Sequence, residues 1–271
     1  MARNDLSLRE CLGILVIALT FVASAVPTMK SQRKRCMMIT GVILNWERPA
    51  NVQRIVEGWL AGGLVTEAIV WNNNASAPLP PIAGAKIVNA GQDLGLYTRF
   101  AAACLAQHDC VLIQDDDLEV PHASLAALHA EWQADPAVIH GVFGRAPKPD
   151  GSYARRIRGD MNVPIVLTRA LLADRRYAAR FFDIASLFAG IQSEGQPEGN
   201  GEDILFSYTV RHASGRLNRV HRVAVTELPS PNSIHRRDWQ AHINHRTRLL
   251  RACEAWLQEK THEVRCEVAA G

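Results

Sequence analysis

The chain has 271 residues, of which 48% are hydrophobic and 21% charged, and a formal net charge of +3. That composition excludes a disordered chain, and the weak, dispersed positive charge excludes a nucleic-acid partner bound through a basic stripe. The six cysteines (Cys11, Cys36, Cys104, Cys110, Cys253 and Cys266) include no Cys-x-x-Cys pair and no metal-site spacing, and Cys104 and Cys110 stand in apolar contexts expected to bury them as free thiols.

An apolar run from Cys11 to Val26 opens the chain, shorter than the roughly 20 residues a spanning helix prefers. It ends in Ala23-Ser24-Ala25, which resembles a signal-peptidase site. Lys30, Arg33, Lys34 and Arg35 follow, and the positive-inside rule then leaves the bulk of the chain in the cytoplasm. Residues 1–36 are therefore read as a membrane tether through residues 11–27, a signal, or a mis-assigned start ahead of Met29, Met37 or Met38. Residues 37–260 are expected to form one catalytic domain and 261–271 a tail.

From Ile39 the pattern becomes regular. Ile39–Leu44 reads as a buried strand, and Pro49 opens a helix at its first position, where a missing N–H costs nothing. Val52, Ile55, Val56, Trp59 and Leu60 recur at helical spacing until Gly62-Gly63 stop them. Ala68–Trp71 is a second strand ending in three asparagines, and Lys86–Asn89 a third. Tyr97, Phe100, Ala101, Cys104 and Leu105 mark a helix that feeds the apolar run Val111–Gln114. Pro121 starts another helix, with Leu125, Leu128 and Trp132 on one face. Alternating strands and helices predict an α/β fold with a mostly parallel central sheet flanked by helices.

The second half is more mixed. Val138–Phe143, Val163–Thr168 and Val220–Val225 read as strands, and Arg155, Arg156 and Arg158 as a solvated loop or a surface for an anionic acceptor. Glu202 and Asp203 begin a helix, where the dipole favours acidic residues whatever their function. The stretch from Arg236 to Leu257 has helical spacing. His212, His221, His235, His242 and His245 match no closed metal site and are expected on surfaces or helix faces, with His235 an outside candidate for a third metal ligand. Trp46 and Trp71 are expected in the core, with a sugar platform as the alternative, and Trp71 abuts the expected site.

Asp115-Asp116-Asp117 ends the central strand. Strand alternation sends Asp115 and Asp117 to one side and Asp116 to the other. Three carboxylates at one strand end repel unless a cation or hydrogen bonds offset them, and hard oxygen ligands suit Mn²⁺ or Mg²⁺. In sheets of this kind ligands bind at the carboxyl ends of the strands, where Arg48, Asn72 and Asn73 are also expected.

The strand ending in Asp-Asp-Asp, the earlier Trp71-Asn72-Asn73 and the later Asn200-Gly-Glu-Asp203-Ile together resemble the GT-A glycosyltransferases, most nearly the exostosin-like glycosyltransferase family 64. The resemblance implies that Arg48, Asn72, Asn73 and Arg99 hold the nucleotide of a UDP-sugar donor. It implies that Asp117 and Asp115 hold the metal, and that Asn200 and Asp203 form the acceptor-side motif. His242 and Arg246 match a His-x-x-x-Arg helix whose Arg touches the diphosphate or the reacting sugar. Asp203 and Arg246 are the catalytic candidates, and Asp116 is expected to accept hydrogen bonds from ribose or sugar hydroxyls. The implied reaction moves a hexosyl or N-acetylhexosaminyl group to a glycan or other acceptor with retention. Gly91-Gln92-Asp93 departs from the family pattern, as does Gly201 where animal members carry a cysteine. A sugar nucleotidyltransferase is disfavoured because Asn45–Pro49 contains no glycine for a triphosphate loop, and a two-metal nuclease lacks the further metal ligands. A GT-A-fold binding protein without activity is the non-enzymatic alternative.

Overall fold

The computed structural model describes residues 38–153, 155–192, 200–230 and 239–270, with side chains to residue 262. The expected tether over residues 11–27, Cys11, Cys36, His235 and the side chain of Cys266 lie outside the described residues. No helix among the described residues is long and apolar enough to cross a membrane.

Strands β1 (Ile39–Asn45), β2 (Val65–Asn72), β3 (Ala85–Asn89) and β4 (Cys110–Gln114) form a parallel block, with helix α1 (Pro49–Gly62) after β1 and α2 (Thr98–Cys104) before β4. The chain continues through β5 (Leu118–Glu119) and α3 (His122–Ala134) to β6 (His140–Gly141) and β7 (Gly144–Ala146). Then come β8 (Arg155–Ile157), β9 (Met161–Val163), β10 (Ile165–Val166) and β11 (Ala170–Asp174). Helices α4 (Arg176–Leu187), α5 (Ala189–Gln192) and α6 (Glu202–Ser214) follow, and β12 (Asn218–Val220), β13 (Thr226–Glu227) and α7 (Trp239–Ala270) complete the order.

The main sheet runs β3–β2–β1–β4–β11–β6–β12–β9. It is parallel as far as β4, whereas β11 runs antiparallel to both β4 and β6, and β9 antiparallel to β12. Strands β10, β7 and β8 form a second, three-stranded sheet, and β13 pairs with β5. The fold is thus the expected α/β architecture, with an antiparallel strand inserted at its centre.

The first strands are continuous apolar runs because both faces of the sheet are covered. Along β4, Val111 and Ile113 enter a core built with Phe100, Phe181, Phe206 and Leu249, while Cys110 and Leu112 enter another with Val56, Trp59, Leu128 and Trp132. In α1, Val52, Ile55, Val56 and Trp59 are buried, as their spacing predicts. Gly41 on β1 admits the Trp59 ring so closely that an added Cβ would lie 2.5 Å from it.

Several expectations are corrected. Val163–Thr168 is not one strand: Pro164 has no N–H for a ladder, and β9 and β10 on either side of it join different sheets. The expected strand Val220–Val225 stops at Val220. Arg155–Ile157 forms β8 instead of a loop, with Ile157 in the core. Cys104 is exposed, while Cys110 and Cys253 are buried, and all three are free thiols. His221 and His245 are buried, and Trp46 is 42% exposed instead of lying in the core.

At the opposite end of the parallel block from the carboxyl edge, buried Glu67 joins three segments. One oxygen accepts from Thr40 Oγ1 at 2.6 Å and from the Gln107 amide at 2.7 Å, and the other meets Lys86. Burial works to raise its pKa, but the bonds from Lys86, Thr40 and Gln107 outweigh it and hold the carboxylate below the ordinary value. Glu67→Ala should cost about 1–3 kcal/mol, because Thr40 and the Gln107 amide lose their acceptor. Since the folded pKa is depressed, this stabilisation is complete above the unfolded value near 4.5 and fades as pH falls through the folded value. Urea titrations of both proteins should therefore show a difference at pH 7 that narrows on acidification, and a gap independent of pH would contradict the assignment.

Candidate active site

The carboxyl edge of the parallel block is tied together by an asparagine ladder. Asn45, Asn72 and Asn89 pair in register at the ends of β1, β2 and β3. Asn45 Nδ2 donates to Asn72 Oδ1 at 2.7 Å, and Asn72 Nδ2 donates to Asn89 Oδ1 at 2.9 Å and to the Ala77 carbonyl at 3.0 Å. Asn73 beside it accepts from Trp71 Nε1 at 3.1 Å and donates to the Gly95 carbonyl at 2.9 Å, which fixes the loop leading into α2.

The three aspartates lie in the turn between β4 and β5, past the last residue of the strand. Strand alternation therefore does not set their directions. The turn is held by its surroundings: Gln114 Nε2 donates to the Leu118 carbonyl at 2.7 Å, the Asp115 amide to the Arg169 carbonyl at 3.1 Å, and the Leu228 amide to the Asp117 carbonyl at 2.8 Å. Each carboxylate has a different nearest arginine, with Arg48 also 3.9 Å from Asp117. Asp115 accepts from Arg99 at 3.0 Å, Asp116 is paired with Arg48, and Asp117 accepts from Arg169 at 3.3 Å and from Ser230 Oγ at 3.2 Å. Asp116 is the buried member, 8% exposed. Burial pushes its pKa up to about 6 against the pull of Arg48, and Asp115 and Asp117 add to the rise.

The facing wall comes from α6 and α7. Gly201 precedes α6 at φ +96°, a left-handed conformation, and a Cβ there would fall 2.5 Å from the Leu249 side chain. Glycine is thus required both by the backbone and by the close approach of α7. It starts the helix so that Glu202 and Asp203 are buried beneath the cleft. Arg246 Nη2 on α7 reaches both oxygens of Asp203 at 2.5 Å, Tyr153 Oη at 2.8 Å, and its Nη1 donates to Asn200 Oδ1 at 3.2 Å. Its guanidinium also lies over the Tyr153 ring, 4.4 Å from the centroid. Burial opposes its charge, yet Asp203, Tyr153 and Glu202 drive its pKa upward, so Arg246 is a permanent cation. His242 Nδ1 lies 3.2 Å from Asn200 Nδ2.

Arg99 links the two walls. It is 6% exposed in its side chain, donates to Asp115, and lies 3.7 Å from Glu202, which also accepts from Thr168 Oγ1 at 2.8 Å. Burial raises the pKa of Glu202, with Arg99 pulling it back. A cleft of about 1310 Å³ opens between the walls.

Residues 29–261 match the Glycosyl transferase family 64 domain. The chain belongs to glycosyl transferase family 64. No curated protein sequence matches it. A crystal structure of GalNAc-T7 with UDP, GalNAc and Mn²⁺ is similar with a TM-score of 0.54 and 12% identity, over 72% of this chain and 44% of that one. This chain thus covers less than half of that protein, and at such identity the likeness is one of fold: the GT-A glycosyltransferase architecture.

In this family 64 chain, Arg48, Asn73, Arg99, Asp115, Asp116, Asp117, Asn200, Asp203, His242 and Arg246 all line the one cleft. Asn72 does not. It is 0% exposed and its amide is committed to the ladder, so it shapes the edge from behind. The residues missed from sequence are those whose neighbours are set by the fold. Arg169 meets Asp117 only because β11 runs back along β4. Tyr153 reaches Arg246 from the segment before β8. Trp46 and Trp239 stand exposed at the cleft, 42% and 53%, and Arg156 and Arg158 line it from β8 and the turn after it. The sequence marks Trp46, Arg156 and Arg158 as candidates, whereas Arg169, Tyr153 and Trp239 carry no such signal.

Proposed function

We propose that the chain is a metal-dependent, retaining transferase that moves a sugar from a UDP-sugar to a glycan or other acceptor. The observation that carries this reading is that Arg99 joins the acidic turn to the Glu202–Asp203 helix start across one cleft. A donor diphosphate at the turn therefore meets its sugar near Asp203 and Arg246. The presence of UDP, GalNAc and Mn²⁺ in the GalNAc-T7 structure supports a uridine nucleotide and an N-acetylhexosamine.

The donor set fits Mn²⁺ or Mg²⁺. Asp115 and Asp117 offer hard carboxylate oxygens, with side chains 29% and 19% exposed. Such ions take one or two carboxylates and complete their shell with substrate phosphate and water. When bound, the ion supplies Lewis-acid stabilisation of the departing diphosphate.

The chain's own residues do the rest. Arg48, oriented by Asp116, and Arg169, oriented by Asp117 and Glu227, present fixed cations at the nucleotide end. Arg246 cannot swing away, because Asp203, Tyr153 and Asn200 hold it. It gives preorganised positive charge where the leaving oxygens gain negative charge. As the bond from the anomeric carbon to phosphate oxygen breaks, the acceptor hydroxyl oxygen bonds to the same face of that carbon. The hydroxyl proton passes to the departing phosphate oxygen. Asp203 stabilises the oxocarbenium-like centre or orients the acceptor hydroxyl, and Asn200 and His242 shape the acceptor side.

A panel of UDP-sugars incubated with the protein and Mn²⁺ should release UDP from at least one donor, faster with an acceptor than by hydrolysis alone. Release should stop with chelator. UDP binding without release from any donor would leave a GT-A-fold binding protein, and neither binding nor release would end the transferase reading.

A further inference from the structure

Three groups outside the cleft converge on one point. Glu131 near the end of α3, His140 on β6 and His221 just past β12 each bring a ligand atom within 4.8 Å of the others. β6 and β12 pair in parallel with His140 opposite Arg219, so His140, Arg219 and His221 share one face by alternation. None of these residues lines the cleft. His140 and His221 are 0% and 6% exposed, and their rings lie nearly parallel, 13° apart.

We propose that Glu131, His140 and His221 form a second divalent-metal site, of the zinc class, that ties α3 to the far half of the main sheet.

The outer neighbours of both rings suit a metal on their inner side. His140 Nε2 lies 2.8 Å from the Asp135 carbonyl, which can only accept, so Nε2 carries the hydrogen and Nδ1 presents a lone pair. A backbone carbonyl on the outer nitrogen is the usual support of a metal-binding histidine. His221 Nδ1 lies 3.9 Å from the Asp160 carboxylate on its outer side, so the ring hydrogen that bridges to His140 in the metal-free protein has a place to move when Nε2 turns to a metal. Those two inner nitrogens, His140 Nδ1 and His221 Nε2, are 3.0 Å apart. Two Zn–N bonds of about 2.0–2.1 Å at a tetrahedral angle put their nitrogens about 3.3 Å apart, so a small adjustment admits the ion. Glu131 adds an anionic oxygen from the solvent side, where its side chain is 47% exposed. Arg219, 38% exposed and 3.5 Å from Glu131, competes for that oxygen and turns to solvent when the ion enters.

The ligand chemistry separates this site from the acidic turn. Two imidazoles and one carboxylate favour Zn²⁺, Co²⁺ or Ni²⁺ over Mn²⁺ or Mg²⁺, whereas the turn offers oxygen alone. Without a metal, His221 Nε2 donates to His140 Nδ1 in an ordinary hydrogen bond, and that is the competing account.

Chelator-treated, full-length protein titrated with Zn²⁺ by calorimetry, and with Co²⁺ by its visible absorption, distinguishes the two. One equivalent should bind to the wild type and equally to Asp117→Ala. Binding should weaken about tenfold or more in Glu131→Gln and vanish in His221→Asn. Zn²⁺ should also raise Tm in the wild type and in Asp117→Ala, but not in His221→Asn. Glu131→Gln alters a half-exposed side chain, so it decides the matter even if His221→Asn does not fold. Equal affinity in wild type and Glu131→Gln, binding lost with Asp117→Ala, or no binding at all would overturn the site. None of those results bears on whether the cleft transfers sugars.

Discussion

Asp117→Asn is expected to lower kcat/KM for UDP-sugar turnover by about 10²- to 10³-fold, the cost of removing one preorganised electrostatic contact to a transition state. The substitution keeps the shape and removes the charge. Asp117 is anchored by its backbone carbonyl to Leu228, and its side chain receives Arg169 and Ser230. With the asparagine oxygen kept toward Arg169, the amide nitrogen faces Ser230, whose hydroxyl can accept instead of donate, so the turn should persist and Tm should move by only about 2–4 °C. Asp116→Asn is the contrast. Its carboxylate is turned inward to Arg48 and is buried, so its loss should act through a loosened Arg48, raising KM for the donor more than it lowers kcat. Steady-state UDP release for the two variants separates these roles. Equal losses would contradict the inequality of the three aspartates.

Arg246→Met should lower stability by about 3–5 kcal/mol, because it strands a buried carboxylate. Arg246 and Asp203 each have side chains only 6% exposed, and Glu202 next in the chain is buried as well. Without Arg246, Arg99 still interacts with both acids and Arg145 with Asp203. Adding Asp203→Asn to Arg246→Met removes the stranded charge, and most of the lost stability should return. Activity should not return, since the double variant lacks both the fixed cation and the facing carboxylate. Urea unfolding and UDP release on the four proteins of this cycle test both halves. Recovery of activity in the double variant would show that the pair serves only the fold.

The parallel block was readable because its physics is local. A strand buried on both faces is an unbroken apolar run, as at Cys110–Gln114, and α1 carries its proline, its spacing and its terminal glycines in sequence. The antiparallel insertion was not readable. Ala170-Leu-Leu-Ala173 has the composition of a helix, and only its place between β4 and β6, with both faces covered, makes it a strand. That strand brings Arg169 to Asp117, so the same gap in the reading hid a residue of the site. Asn72 was misplaced for a related reason. Its type and position at the strand end were right for a ligand contact, but the paired asparagines on β1 and β3 capture its side chain. The acidic triplet was recognised from residue order, although its inequality came from three arginines and a turn, not from pleat alternation. His140 carried no signal in the sequence, because its partner His221 is distant in the chain and meets it only across the sheet.

The central claim is that the acidic turn anchors a metal-bound nucleotide diphosphate. Thermal unfolding with UDP and Mn²⁺, separately and together, tests it most directly in the wild type and in Asp117→Ala. UDP should raise Tm only when Mn²⁺ is present, and the joint shift should disappear in Asp117→Ala while the unliganded Tm stays close to that of the wild type. An equal UDP shift with and without Mn²⁺, or a joint shift that survives in Asp117→Ala, would contradict it.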